Sequence, residues 1–185
     1  QKVRRNQSQG LSGILLNVLE QLDLHTRSMT IEVFPHVPRA MGLGGSSALA
    51  VAIVRALDHA YRLGLPEERV NTLAYECEQA AHGNPSGIDN TIATYGMPLV
   101  FQRGENDPRF EEVKLPGALP LVIGITGRES LTANTVARVR NAWQTHQARY
   151  DGIFDQIGNL TRAGIDALRS SHLEELGELM NLCQG

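Results

Sequence analysis

Apolar residues at Leu11, Ile14, Leu15, Val18, Leu19 and Leu22 recur every three or four positions, which predicts an amphipathic helix over residues 11–22 with one buried face. A short alternation follows, with Ile31 and Val33 on one side, and predicts a strand over 29–34 that Pro35 and Pro38 end. Leu49, Ala52, Ile53, Ala56, Leu57 and Ala60 restore the helical spacing. A third helix is expected after Pro66, with Val70, Leu73, Ala74, Cys77 and Ala81 inward. Beyond it, 88–95 and 98–102 read as strands joined by a turn at Gly96. The pattern breaks over 103–116, where glycine, proline and charges predict a connector or domain boundary. Residues 119–126 then read as an apolar strand, and 132–150 as a helix carrying Val136, Val139, Trp143 and Tyr150 inward. Helical stretches at 153–168 and 173–183 complete the chain. Strands and helices interleave, so the pattern predicts a mixed α/β (α+β) class.

Composition narrows the function classes. With 185 residues, 42% hydrophobic content and a net charge of -3, the chain can bury a core and offers no electrostatic footprint for nucleic acid or an anionic membrane. No apolar run reaches bilayer-spanning length. Cys77 and Cys183 lie far apart, which argues against a disulfide framework and fits a cytoplasmic location. The helical faces near the C-terminus could pack within the chain or against a second copy, which leaves a homodimer open.

Two segments carry chemistry. Residues 38–48, Pro-Arg-Ala-Met-Gly-Leu-Gly-Gly-Ser-Ser-Ala, run from a glycine-rich turn into an alanine-rich helical pattern. Gly42, Gly44 and Gly45 permit backbone conformations that let several N–H groups converge on one anion, and Ser46 and Ser47 fall where a helix leaves its first donors unpaired. The same residues could form a plain turn with a serine cap. A dinucleotide fingerprint does not fit, because Ser47 stands where its third glycine belongs. The second segment, His82-Gly-Asn-Pro-Ser-Gly-Ile-Asp-Asn90, places Asp89 in a rigid turn, suited to act as a base or a magnesium partner, or else simply to close an Asx-type turn. Glu78 lies on the border of a buried helical face, where a glutamate is usually solvated. Together, a loop hydroxyl from Ser46 and the Glu78 carboxylate suit magnesium, which takes few protein ligands beside nucleotide phosphates, and leave Asp89 to receive a hydroxyl proton.

In their order and separation, these two segments resemble the second conserved motif and the central segment of the GHMP kinases, the superfamily of galactokinase, homoserine kinase, mevalonate kinase and phosphomevalonate kinase. The block 82–90 is most like its mevalonate kinase branch. The likeness extends to Glu78-Gln-Ala-Ala-His82, Ala93-Thr-Tyr-Gly96, and Thr126-Gly-Arg followed by Thr132 and a helix. It implies an ATP- and magnesium-dependent phosphotransferase acting on the primary hydroxyl of mevalonate. In that scheme Asp89 accepts the hydroxyl proton, and Gly42, Leu43, Gly44, Gly45, Ser46 and Ser47 wrap the ATP phosphates. Ser46 and Glu78 hold magnesium, and His82, Ser86 and Thr126 lie near the acceptor. His82 could equally cap the loop, and Thr126 could satisfy its own strand end.

The resemblance also implies a fold. Residues 1–115 would form the N-terminal domain, with helices on one face of a mixed sheet. Residues 116–185 would begin a ferredoxin-like C-terminal domain, with the active site in the cleft between. The family usually reads Gly-Leu-Gly-Ser-Ser-Ala where this chain has Gly-Leu-Gly-Gly-Ser-Ser-Ala, so Ser46 aligns with the second serine unless the loop carries an insertion, in which case Ser47 is the metal ligand. An early lysine motif and a late glycine-rich motif of the family have no counterpart, which implies a longer parent protein. Another acceptor within the superfamily, or a nucleotide-binding module without turnover, are the competing readings.

Overall fold

The computed structural model describes residues 11–26, 28–34, 36–37, 41–82, 85–102, 109–125 and 132–184. The chain divides into two compact units, Gln1–Gly96 and Met97–Gly185. In the first, helices α1 (Leu11–Gln21), α2 (Gly45–Tyr61), α3 (Glu67–His82) and α4 (Ile88–Tyr95) surround one core. Helix α3 packs against the other three, and α2 also contacts α1 and α4. Ile14 and Val18 of α1, Val51, Val54 and Leu57 of α2, and Val70, Leu73, Ala74 and Cys77 of α3 meet in that core, which is the helical spacing expected for each segment. Arg62 closes α2 in the left-handed conformation, its N–H donating to the Asp58 carbonyl. Pro66 then precedes α3, whose first turn carries Glu67 and Glu68 at the positive end of the helix dipole.

Cys77 has the surroundings of a structural thiol. Its Sγ lies 3.8 Å from both the Ile14 carbonyl oxygen and Asn17 Oδ1. Burial, with the charges of Glu76 and Glu78 adding to it, pushes its pKa from 9.0 up to about 12. A thiol whose folded pKa is raised contributes stability that is present below about pH 9 and is lost as pH climbs toward 12. At about pH 8 a thiol reagent is therefore expected to modify the exposed Cys183 and to reach Cys77 only on unfolding. Titration of native and denatured protein with a chromogenic disulfide checks this, and two fast-reacting thiols in the native state would contradict it.

Two of the expected strands in this unit take other forms. Residues 29–34 form no strand, since among the described residues no neighbouring strand pairs with them. Residues 88–95, rich in β-branched side chains, form helix α4 and not a strand. Glycines decide this: Gly87, at φ 90°, caps its start and Gly96, at φ 65°, its end, where the Gly96 N–H reaches the Ile92 carbonyl. Its buried residues, Asn90, Thr91 and Thr94, recur at helical spacing.

The second unit begins with a hairpin of β1 (Leu99–Gln102) and β2 (Arg109–Glu112), antiparallel, with Phe101 opposite Phe110. The expected strand at 98–102 is thus present, and β2 lies inside the expected connector. The Val113 N–H donates to the Pro98 carbonyl and extends the pairing. Residues 119–125 of the expected apolar strand are not a strand: none pairs with them among the described residues, and Val122 is fully exposed. The expected helix 132–150 is two helices, α5 (Thr132–Thr145) and the start of α6 (Gln147–Arg169), followed by α7 (Leu173–Gln184). The break falls at His146, whose carbonyl accepts from the N–H groups of Arg149 and Tyr150 and so begins a new helix. Trp143 is half-buried and its Nε1 donates to Asp151 Oδ1 at 2.8 Å, while Tyr150 sets its ring 6.2 Å from that of Phe154. Val136 and Val139, expected inward, are exposed. Among the described residues no helix is long and apolar enough to cross a membrane.

Candidate active site

Helix α2 opens without a side-chain cap. Its N-cap is Gly44, at φ 63°, and the Gly44 carbonyl accepts the first helical bond from the Ala48 N–H at 3.0 Å. The N–H groups of Gly45, Ser46 and Ser47 consequently have no carbonyl one turn behind them, and they stand at the positive end of a 17-residue helix. Gly42, at φ 74°, turns the chain into this start, leaving Leu43 exposed at its edge. Three consecutive donors at a helix start, behind a loop of minimal bulk, suit a phosphate.

Asp89 lies beside this cap. It is the second residue of α4, where a carboxylate complements the dipole. A Cβ placed on Gly44 would stand 3.7 Å from both Cβ and Cγ of Asp89 and 3.9 Å from its Oδ1. Two segments 45 residues apart, one expected to cradle an anion and the other to supply an acidic group, are thus neighbours, with room for about one methyl group between them. The carboxylate is solvent-exposed, and an anion on the α2 start would share this face.

The remaining expected site residues divide. Glu78 is 5% exposed and not solvated, because its stretch of α3 packs against the other helices beside Cys77. Ser46 is half-buried, so its hydroxyl retains access to solvent. Ser47 is wholly enclosed, and its Oγ has no hydrogen-bond partner among the described residues. Ser86 is exposed, its Oγ accepting from the Ile88 N–H at 3.3 Å at the start of α4. His82 ends α3, but its side chain lies outside the described residues, as do Thr126 and residues 38–40 of the loop.

Burial separates the two serines. A hydroxyl sealed by protein on every side does not reach a ligand without rearrangement, whereas Ser46 Oγ does. Ser47→Ala removes a buried hydroxyl that has no partner and is expected to raise stability by about 1 kcal/mol. Ser46→Ala is expected to weaken nucleotide-dependent turnover about 10-fold or more. Urea unfolding and steady-state kinetics on the pair check both, and the reverse assignment of effects would move the functional hydroxyl to Ser47.

A loop of this form followed by an acidic residue on a second helix start has counterparts. Residues 11–97 match the GHMP kinases N terminal domain family, which spans the glycine loop, Glu78 and Asp89. The chain belongs to the GHMP kinase superfamily. It is 32% identical over 173 residues to the mevalonate kinase of Pyrococcus abyssi, a match covering 91% of this chain and 50% of that protein. With the mevalonate kinase of Thermococcus sibiricus it shares 31% identity over 164 residues, 86% of this chain and 48% of that one. The crystal structure of L. major mevalonate kinase in complex with R-mevalonate superposes with a TM-score of 0.74 at 28% identity, covering 92% of this chain and 53% of that chain. The GHMP kinase fold is therefore established for this chain, which spans about half the length of the curated relatives it matches.

Two features of the site went unread in the sequence. The glycines flanking residues 88–95 are a helix-cap pair, which the β-branched composition between them masked. The polar face of α4, and Asn71 opposite it, carry no motif and become visible only once α3 and α4 are packed.

Proposed function

We propose that this chain belongs to an ATP-dependent kinase that phosphorylates the primary hydroxyl of mevalonate, a soluble enzyme of the cytoplasm. The observation that supports this reading is that Asp89 lies beside the Gly44 cap. An anion on the N–H groups of Gly45, Ser46 and Ser47 puts the terminal phosphoryl group of ATP within reach of the Asp89 face. The acceptor hydroxyl oxygen attacks the γ-phosphorus, the bond to the β–γ bridging oxygen breaks, and the hydroxyl proton passes to an Asp89 carboxylate oxygen. ADP leaves with the bridging oxygen.

A magnesium ion is assigned to the site, since it takes oxygen donors and few protein ligands beside nucleotide phosphates. Among the described residues no cluster of three or more His, Cys, Asp or Glu could hold a metal. Ser46, whose hydroxyl keeps access to solvent, and Glu78, whose buried carboxylate would have to turn toward the loop, are the residues that would hold it. Magnesium supplies charge neutralisation of the phosphates. Two unpaired cysteines fit a reducing compartment.

The acceptor is tested by a panel in a coupled ADP-release assay on the protein carrying this chain. Mevalonate is expected to support turnover at least about 100-fold above homoserine, galactose and phosphomevalonate, since a polar group without its partner site is rejected strongly. Preference for any of those three would reassign the substrate. ADP release that no acceptor stimulates would favour a binding module.

A further inference from the structure

Helix α4 carries Asp89 yet lacks a large apolar side chain among its buried residues. Its buried positions are Asn90, Thr91 and Thr94, while Ile88 and Ile92 are exposed. Ala93 packs against the core, and hydrogen bonds tie the helix to α2 and α3. Asn90 Nδ2 donates to Asn71 Oδ1 of α3 at 2.6 Å. The Thr91 hydroxyl donates back to the Gly87 carbonyl at 2.6 Å, and its oxygen accepts from Asn71 Nδ2 at 3.5 Å. At the far end, Arg55 of α2 donates to the Thr94 carbonyl at 2.7 Å and to Glu67 Oε2 at 2.6 Å.

Hydrogen bonds are directional where apolar packing is not, so a helix held this way has its rotation and register set by its partners. Asn71 is the partner that grips the first turn twice, one residue and two residues beyond Asp89. We infer that Asn71 is a positioning residue of the phosphoryl-transfer site, fixing the first turn of α4 through Asn90 and Thr91 so that the Asp89 carboxylate faces the Gly44 cap. This inference rests on the kinase reading above. Asn71 touches neither nucleotide nor acceptor in that reading, and its effect on the reaction passes entirely through Asp89.

Two substitutions separate positioning from bulk stability. Asn71→Leu keeps the branching at Cγ, adds some bulk and removes both bonds. Asn71→Asp keeps the acceptor for Asn90 and loses only the donor to Thr91. A misplacement of the base by about 1 Å costs on the order of 100-fold, so Asn71→Leu is expected to lower kcat by about that factor, with KM for ATP and mevalonate within about twofold of the parent. Asn71→Asp is expected to stay within about fivefold, the conservative change restoring most of the rate. The decisive arm is a double-mutant cycle: on an Asp89→Asn background, Asn71→Leu is expected to change the residual rate by less than about twofold, because the group it positions is gone.

An equal loss from Asn71→Leu on both backgrounds would overturn the inference and make the residue structural. Full kcat in Asn71→Leu would overturn it as well, as would failure of both Asn71 variants to give a cooperatively unfolding protein. Retained turnover in Asp89→Asn alone would instead remove Asp89 as the base, the assignment on which the inference stands.

Discussion

Asp89→Asn is expected to lower phosphoryl transfer by about 10²- to 10⁴-fold, the range set by removing a positioned general base. The substitution keeps shape and hydrogen-bonding size and deletes the proton acceptor. Nucleotide binding should change little, since the N–H groups proposed to hold phosphate belong to the start of α2 and not to α4. If anything, removing a negative charge beside an anion site tightens ATP. Calorimetric binding of a non-hydrolysable ATP analogue, together with steady-state rates, separates the two effects. Loss of both binding and rate would make Asp89 part of the cradle, and retained rate would remove it from the chemistry.

Gly44→Val is expected to damage binding and rate together. Gly44 sits at φ 63°, where an L residue carries strain of about 1–2 kcal/mol and a β-branched one more. A Cβ there is 3.7 Å from Asp89, ordinary contact, so alanine fits the space. The γ-methyl groups of valine extend past that contact toward the carboxylate and into the approach to the α2 donors. Nucleotide affinity is expected to fall about 10-fold and turnover about 100-fold, the second loss exceeding the first because reacting groups are displaced as well as strained. Gly42→Ala provides the comparison: no described residue stands within 4 Å of a Cβ there, and among the described residues the change carries backbone strain alone at φ 74°. Equal effects from the two variants would show that backbone strain, and not the approach to Asp89, governs the site.

The turn and helix start of the glycine loop were more legible in the sequence than the strands. Glycines at 42, 44 and 45 before an apolar-periodic stretch state both a turn and a helix start, and the structure has each. Periodicity likewise located α1, α2 and α3, because each buries one face against a single core. The strands fared worse, for a physical reason: a helix satisfies its hydrogen bonds within its own segment, whereas a strand needs a partner that no local pattern reveals. Residues 29–34 and 119–125 have the composition of strands and lack partners among the described residues. Residues 88–95 are subtler, since Ile88, Thr91, Ile92 and Thr94 suggest extended structure while Gly87 and Gly96 impose helix ends. Glu78 was placed at a border by its helical phase and lies inside because its stretch of α3 is packed by other helices. Asn71 is silent in sequence, as one asparagine on a helix face carries no signal until Asn90 stands 2.6 Å away.

If Asp89 is the base, its side chain on α4 faces a phosphate bound at the start of α2. A crystal structure with a non-hydrolysable ATP analogue and mevalonate tests this most directly. Phosphate oxygens are expected on the N–H groups of residues 45–47, and the mevalonate primary hydroxyl within hydrogen-bond distance of Asp89. A nucleotide seated away from the α2 start, or a hydroxyl directed at another residue with Asp89 turned to solvent, would contradict it.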